Sequence, residues 1–340
     1  METMTADPTT ATGPLVDEEW PTERATLAED VLDGLTRPFK ELPPRYLYDA
    51  RGSELFDEIC EQPEYYQSRA ERLILEARAG EIVADSGACE LLELGAGSAT
   101  KTHMLLDAML ARRVPVRYLP LDVCASAMER AVAALAERYP QLLVTPLVGD
   151  FERAWDVGGS PGPRLVASLG GTLGNFLPGS RRRFLRGLAA TLDERDHVLM
   201  GVDLVKDRDE LVAAYNDAAG VTAAFNVNVL AVINRRLSAD FDLENFTHVA
   251  RYDDRRDWIE MRLRARDACV VEIRSLGLTV DFTAGEEMRT EISAKFTRER
   301  IRADLGASGL VERGWYTDAR ERFALVLCQA TSNGGYPDDI

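Results

Sequence analysis

Strands and helices alternate in the apolar pattern over the middle of the chain. Cys89–Leu94, Arg117–Val123, Leu142–Val148, Arg164–Leu169 and His197–Leu204 read as strands, short and almost wholly apolar. Such runs suit strands buried on both faces of a parallel sheet. Between them apolar residues recur at three and four. Met104, Leu105, Ala108 and Met109 mark a helix from Thr100, and further helices are predicted over 126–138 and 181–192. The pattern then changes. Helices are expected over 209–219, carrying Tyr215, and over 225–238. Residues 246–282 alternate like an antiparallel sheet, in the segments HVARYD, WIEMRLRARD, CVVEIRSL and LTVDF. This stretch is too long for a crossover and reads as an inserted subdomain covering a site. Residues 283–296 are expected to return toward the core. A helix over 298–305 then leads to two strands, near 311–317 and 322–330, that close the main sheet in antiparallel fashion.

Ahead of the first strand, residues 1–20 read as a disordered tail rich in Thr, Pro and acid. A helix is expected from Thr22 to Leu35, and Pro43-Pro44 breaks the chain. Ser53 is the expected cap of a short helix holding Leu55, Phe56 and Ile59, and a longer helix spans 69–83. Tyr46, Tyr48, Phe56, Tyr65 and Tyr66 crowd this segment. They suit either packing of a lid on the sheet or hydroxyls aimed into a ligand pocket, and both can hold. The expected division is a core of 21–205 with 296–330, including a lid at 36–68. Residues 206–295 are the inserted substrate-binding subdomain, and 331–340 a frayed end. No internal repeat is evident.

Composition removes several classes of function. The net charge of -17 disfavours nucleic acid and anionic membranes as partners. No apolar run approaches the ~20 residues that span a bilayer, and the acidic, polar start is not a signal peptide. Five scattered cysteines without C-x-x-C, and only three histidines, speak against zinc or a disulfide framework. The expectation is a metal-free protein of the reducing cytoplasm, a monomer.

The chemistry centres on CELLELGAGSATK, residues 89–101. A buried strand turns on Gly95 and Gly97 into a helix whose first N–H groups are unpaired. That is the nucleotide cradle of an open α/β sheet. The dinucleotide fingerprint would place a third glycine where Thr100 stands. Glu93, just before the turn, is unhelpful to a pyrophosphate and suits a cationic ligand such as S-adenosylmethionine. Asp122, at the end of the second strand, falls where an acid binds ribose hydroxyls. Asp150 and Phe151 end the third strand and suit an adenine, the acid accepting from its amino group. Asn175, in GGTLGNF, follows the fourth strand near where a reacting group should sit, though an Asn in a Gly-rich loop is by itself more often a turn former. Glu291 and Ser293 share a face if their stretch is extended, and Glu291 alone could equally be a solvated charge.

The glycine hinge, Asp122, Gly149-Asp150-Phe151 and the late antiparallel pair resemble class I SAM-dependent methyltransferases. Three longer segments are LPPRYLYDARGSELFDEICEQPEYY, LVKDRDELVAAYNDAAGVTAAFNVNVLAVINRRLSADFDL and FTAGEEMRTEISAKF. They resemble the histidine-specific Nα-methyltransferases of ergothioneine biosynthesis, over residues 25–330 or so. The resemblance implies an α/β Rossmann-like sheet with an inserted α+β subdomain. It implies transfer of three methyl groups from S-adenosylmethionine to the α-amino group of L-histidine, giving hercynine. By position, Tyr48, Gly95, Lys101, Asp122, Asp150 and Phe151 match residues that contact the donor, with Phe56 close by. Tyr65, Asn175, Tyr215, Glu291 and Ser293 match residues that hold histidine, and Gly170 lies near it. Asn175 and Tyr65 are expected to orient the α-nitrogen, with Tyr48 near the amine and the methyl, and no general base is assigned. Glu291 and Ser293 are assigned to the imidazole, the hydroxyl serving as donor or acceptor. Ala294 departs slightly from the family pattern. Alternatives are the same chemistry on tryptophan, a regulator without turnover, and a nicotinamide oxidoreductase.

Overall fold

The structure, a computed structural model, describes residues 26–97, 99–151 and 157–331. The tail expected over 1–20, the helix start at Thr22 and the end of the chain beyond residue 331 lie outside them. The first helix, α1 (Leu27–Thr36), starts at Thr26, whose hydroxyl accepts from Glu29 N while the Glu29 side chain returns to Thr26 N. This reciprocal box satisfies two N–H groups that a helix start leaves open. Next come α2 (Ala50–Cys60) and α3 (Tyr66–Ser86). The cap of α2 is Asp49, which accepts from Gly52 N at 2.8 Å, and Ser53 lies inside the helix instead. Residue 52 has to be glycine, because a Cβ there would meet Leu47 O at 1.7 Å.

The alternating region follows as β1 (Glu90–Leu94), α4 (His103–Leu110), β2 (Arg117–Asp122), α5 (Ala125–Arg138), β3 (Leu143–Val144) and β4 (Leu147–Val148). It continues with β5 (Arg164–Ser168), α6 (Pro178–Ala190) and β6 (His197–Asp203). The third expected strand is two short pieces around Thr145-Pro146, since proline has no N–H for the ladder. Helix α4 opens at His103, later than expected, because residues 100–102 form a turn. The insert holds α7 (Arg208–Ala214), α8 (Val221–Leu237) and β7 (Phe246–Asp253), then β8 (Trp258–Ala265), β9 (Cys269–Ile273), β10 (Leu278–Phe282) and β11 (Glu287–Ala294). Tyr215 sits just past the end of α7, not within it. The chain closes with α9 (Arg298–Gly306), β12 (Leu310–Thr317) and β13 (Phe323–Ala330).

The main sheet has the order β12-β13-β6-β5-β1-β2-β3, with β4 also on β2. Its strands are parallel except β13, antiparallel to both β6 and β12. Strand β13 shows how both faces are covered. Phe323, Leu325 and Leu327 enter one apolar layer, and Ala324, Val326 and Cys328 the other. The order reverses beside β1, which carries β2 on one side and β5 on the other. Ligands of open α/β sheets bind beyond the strand ends at such a point.

The insert does not form one antiparallel sheet. It splits into a three-stranded sheet, β11-β8-β7, and a separate β9-β10 pair. Residues 287–294, expected to lead back to the core, are a strand of that sheet. The lid differs from expectation too. Its apolar residues from Leu42 to Tyr66 share a core with Leu211–Met288 of the insert rather than lying on the main sheet. Asp49 fastens it, accepting from Asn228 and Arg235 of α8 at 2.7 Å each. The two lobes join where Phe296 N donates to Asp203 O at 2.9 Å and Val205 N to Phe296 O at 3.0 Å. Among the described residues, no helix is long and apolar enough to cross a membrane.

Candidate active site

The turn after β1 is held open by backbone geometry. Gly95 and Gly97 have φ of 74° and 52°, the left-handed region that side chains other than glycine's enter at a cost. Gly95 N donates to Leu121 O at 2.8 Å, tying the turn to β2. A Cβ at Gly95 would lie 3.5 Å from the Phe151 ring and fill the floor of the cradle. Asp122 accepts from Gly97 N and Cys124 N, at 2.9 Å each, and so faces the turn with both oxygens anchored. Burial lifts its carboxyl above the ordinary range despite those donors. Phe151 packs edge-on against Phe184, centroids 6.2 Å apart. Glu93 lies beneath, one oxygen accepting from Thr102 at 2.6 Å and Tyr118 at 2.5 Å. Burial pushes it up to about 7.

A carboxylate not anticipated from the sequence joins the two halves of the site. Glu71 of α3 is fully buried and pairs with Lys101 of the turn after β1. The same carboxylate accepts from Gly170 N at 2.9 and 3.0 Å, in the loop after β5. Burial opposes the charge on Lys101, but Glu71 outweighs it and holds the ammonium above its ordinary pKa. Strand β6 carries glycine at 201, where a Cβ would sit 2.3 Å from Glu71 Oε1.

Loop 170–176 then turns toward the insert. A Cβ at Gly174 would meet Ala294 O at 2.8 Å, so this glycine brings Asn175 against β11. A register shift in β11 between Arg289 and Glu291 turns Thr290 away, toward Asn226 at 2.5 Å. Glu291 and Ser293 both remain buried and line the cavity. Glu291 Oε2 is buried with no hydrogen-bond partner among the described residues. Burial pushes the Glu291 carboxyl up to about 7, with Lys295 pulling the other way. Ser293 Oγ accepts from Tyr215 at 2.7 Å and Lys295 at 2.8 Å. Tyr48, Phe56, Tyr65 and Phe225 form the wall above, with ring centroids 5.3–6.1 Å apart.

These elements enclose a cavity of about 600 Å³. Every residue nominated for the donor side lines it: Tyr48, Phe56, Gly95, Lys101, Asp122, Asp150 and Phe151. So does every one nominated for the acceptor side: Tyr65, Gly170, Asn175, Tyr215, Glu291 and Ser293. Sequence reasoning missed Glu71, Gln67, Asp203 and Lys295, all buried, of which Gln67 and Asp203 themselves line the cavity. Glu71 did carry a signal, since it sits three and four residues before Ile74 and Leu75 on the apolar stripe of α3.

The raised pKa of Glu291 has a sign that can be tested. An acid whose folded pKa exceeds its unfolded value favours folding at low pH, and that contribution is lost as pH rises through about 7. In the ligand-free protein, Glu291→Gln is expected to gain up to about 3 kcal/mol over wild type at pH 8 and little at pH 4. Urea unfolding at the two pH values checks it, and an equal effect at both would remove Glu291 as the cause.

The family model for SAM-dependent histidine-specific methyltransferases matches residues 27–330. The chain is 50% identical over 301 residues to histidine N-alpha-methyltransferase of Mycolicibacterium smegmatis, covering 88% of this chain and 94% of that one. It is 47% identical to the Mycobacterium tuberculosis protein of the same name, with the same coverage. It is 29% identical to ergothioneine biosynthesis protein 1 of Neurospora crassa, over 68% of this chain and 29% of the longer fungal one. The chain belongs to the family of SAM-dependent, histidine-specific methyltransferases.

Proposed function

We propose that this chain transfers three methyl groups from S-adenosylmethionine to the α-amino group of L-histidine, giving hercynine for ergothioneine biosynthesis. One observation carries the choice of acceptor. A buried carboxylate oxygen of Glu291, without a hydrogen-bond partner among the described residues, lines the same cavity as the glycine cradle. A ring N–H satisfies that oxygen, and an apolar side chain does not.

The cradle fits an adenosine-bearing donor: the glycines admit it, Asp122 can take ribose hydroxyls, and Asp150 with Phe151 can take the base. Lys101 lines the same cavity and can meet a donor carboxylate. When bound, S-adenosylmethionine supplies an electrophilic methyl group, so the protein's tasks are alignment and exclusion of water. Asn175 and Tyr65 orient the α-nitrogen with its lone pair free, and Tyr48 closes the space beside it. The aromatic wall keeps water out, and Glu291 and Ser293 hold the ring. No side chain is assigned as general base. The lid and residues 206–295 act together as the substrate lobe on the SAM-binding core. The five cysteines are free, as suits a reducing cytoplasm, and the protein is taken to act as a monomer.

Mass spectrometry of histidine incubated with S-adenosylmethionine and the protein tests the reading. A gain of three methyls is expected, and unchanged histidine would end the proposal. Asp122→Ala is expected to weaken donor binding about 10–100-fold, as loss of charged hydrogen bonds does, with little change in histidine contacts. Isothermal titration reads it, and an unchanged donor affinity would remove Asp122 as the ribose ligand.

A further inference from the structure

The polarity of Ser293 is set from behind the cavity. Lys295 is fully buried, and its Nζ lies 2.9 Å from Asp203 Oδ2, 2.9 Å from the Tyr215 hydroxyl and 2.8 Å from Ser293 Oγ. An ammonium has three hydrogens, and these acceptors use all of them. The Tyr215 oxygen also accepts from Gln67 Nε2 at 3.3 Å, which occupies its second lone pair. The Tyr215 proton therefore goes forward to Ser293, at 2.7 Å. Ser293 Oγ now accepts from both Lys295 and Tyr215. Its lone pairs are full, and only its own proton remains for a ligand. Asp203 keeps the relay charged. Burial opposes a charge on Lys295, but Asp203 prevails and holds the ammonium above its ordinary pKa.

We infer that Lys295, with Gln67 and Tyr215, is a positioning residue that fixes Ser293 as a hydrogen-bond donor. The site then selects a neutral azole ring with one N–H for Glu291 and one bare nitrogen for Ser293. This rests on the proposed histidine site and goes beyond it, because a hydroxyl alone would accept either polarity. A protonated imidazolium would set an N–H against the Ser293 proton. An indole or pyrrole would leave that proton unpaired, which a buried site penalises strongly. The Tyr215 hydroxyl, its own capacity used, acts on the ligand through Ser293.

Two measurements test the inference. In the unmodified protein with S-adenosylhomocysteine, nitrogen NMR of ring-¹⁵N histidine at about pH 6 is expected to show one protonated and one bare nitrogen. Free histidine is largely protonated at that pH. Two protonated nitrogens in the bound ring would overturn the assignment. The second measurement compares kcat/KM for histidine with two ring analogues. Pyrrolylalanine keeps an N–H but lacks the bare nitrogen, and thiazolylalanine keeps the bare nitrogen but lacks the N–H. Wild type should prefer histidine to pyrrolylalanine by about 100-fold. Lys295→Met frees a lone pair on Tyr215, so the Tyr215 proton can swing off Ser293 and the Ser293 proton can turn back onto that oxygen. The preference should fall below about tenfold, while the histidine to thiazolylalanine ratio stays as in wild type. Gln67→Leu frees the same oxygen from its other side, should act alike, and carries the test if Lys295→Met does not fold. A variant that lowers both ratios together, or neither, refutes the positioning role. If wild type does not methylate histidine at all, the substrate reading itself fails; normal methylation with unmoved ratios sinks only the relay.

Discussion

Glu71→Ala is expected to unfold the coupling between the two halves of the site and to destabilise the protein by about 3–5 kcal/mol, the usual result of stripping one partner from a buried ion pair. The magnitude follows from burial. Glu71 has 0% exposed side chain and Lys101 only 18%, so the lysine left behind has little water to turn to. The Gly170 N–H loses its acceptor in the same step. Turnover should fall more than stability alone explains, because the proposed donor side includes Lys101 and the proposed acceptor side Gly170. Glu71→Gln separates the terms. Its carbonyl can still accept from Gly170, while its NH₂ faces the Lys101 ammonium. It should weaken donor binding and leave histidine KM nearer to normal. Urea unfolding and steady-state kinetics together read this. A variant as stable and active as wild type would mean that the carboxylate does not tie the loops.

The second large effect is expected at Glu291. Replacing it with alanine should raise KM for histidine by roughly 10–100-fold, given about 1.5–3 kcal/mol for a charged hydrogen bond. Donor affinity should hold, because Glu291 lies on β11, away from the glycine turn. Activity at saturating histidine should be the less affected quantity, since the ring is remote from the reacting nitrogen. Normal histidine kinetics in the variant would mean that the ring does not bind there.

Much of the core could be read from the sequence because its signals are local. A fully buried parallel strand must be apolar on both faces, so β1, β5 and β6 stand out as runs. The turn at Gly95 and the acid at Asp122 have fixed places relative to those strands. The lid was harder. Its tyrosines show that it packs on something, but not on what, and the partner turned out to be α8 and the insert. Helix ends went astray where a competing polar residue was nearby, as Asp49 took the cap that Ser53 could also have filled. The split of the insert into two sheets depends on long-range pairing of β11 with β8, which no local pattern encodes.

The site shows the same contrast. The nominated residues of the cavity come from motifs and from the resemblance. Gln67 and Asp203, which line it too, and Lys295 behind it come from neither. Lys295 stands two positions after Ser293 on an extended stretch and could have been suspected as sharing its face. Its partner Asp203 lies on another strand, and the pairing needs the join of Phe296 to the end of β6. Asp203 lies within the run His197–Leu204, where nothing local marks its partner. Buried polar groups that complete one another across the sequence are visible only once the fold brings them together.

The most direct test of the account is a crystal structure of the protein with S-adenosylhomocysteine and histidine bound together. The expected complex has the ribose hydroxyls on Asp122, the imidazole between Glu291 and Ser293, and the α-amino nitrogen pointing at the sulfur. An imidazole nitrogen against the sulfur, or a nucleoside lodged anywhere other than the glycine turn, would contradict it.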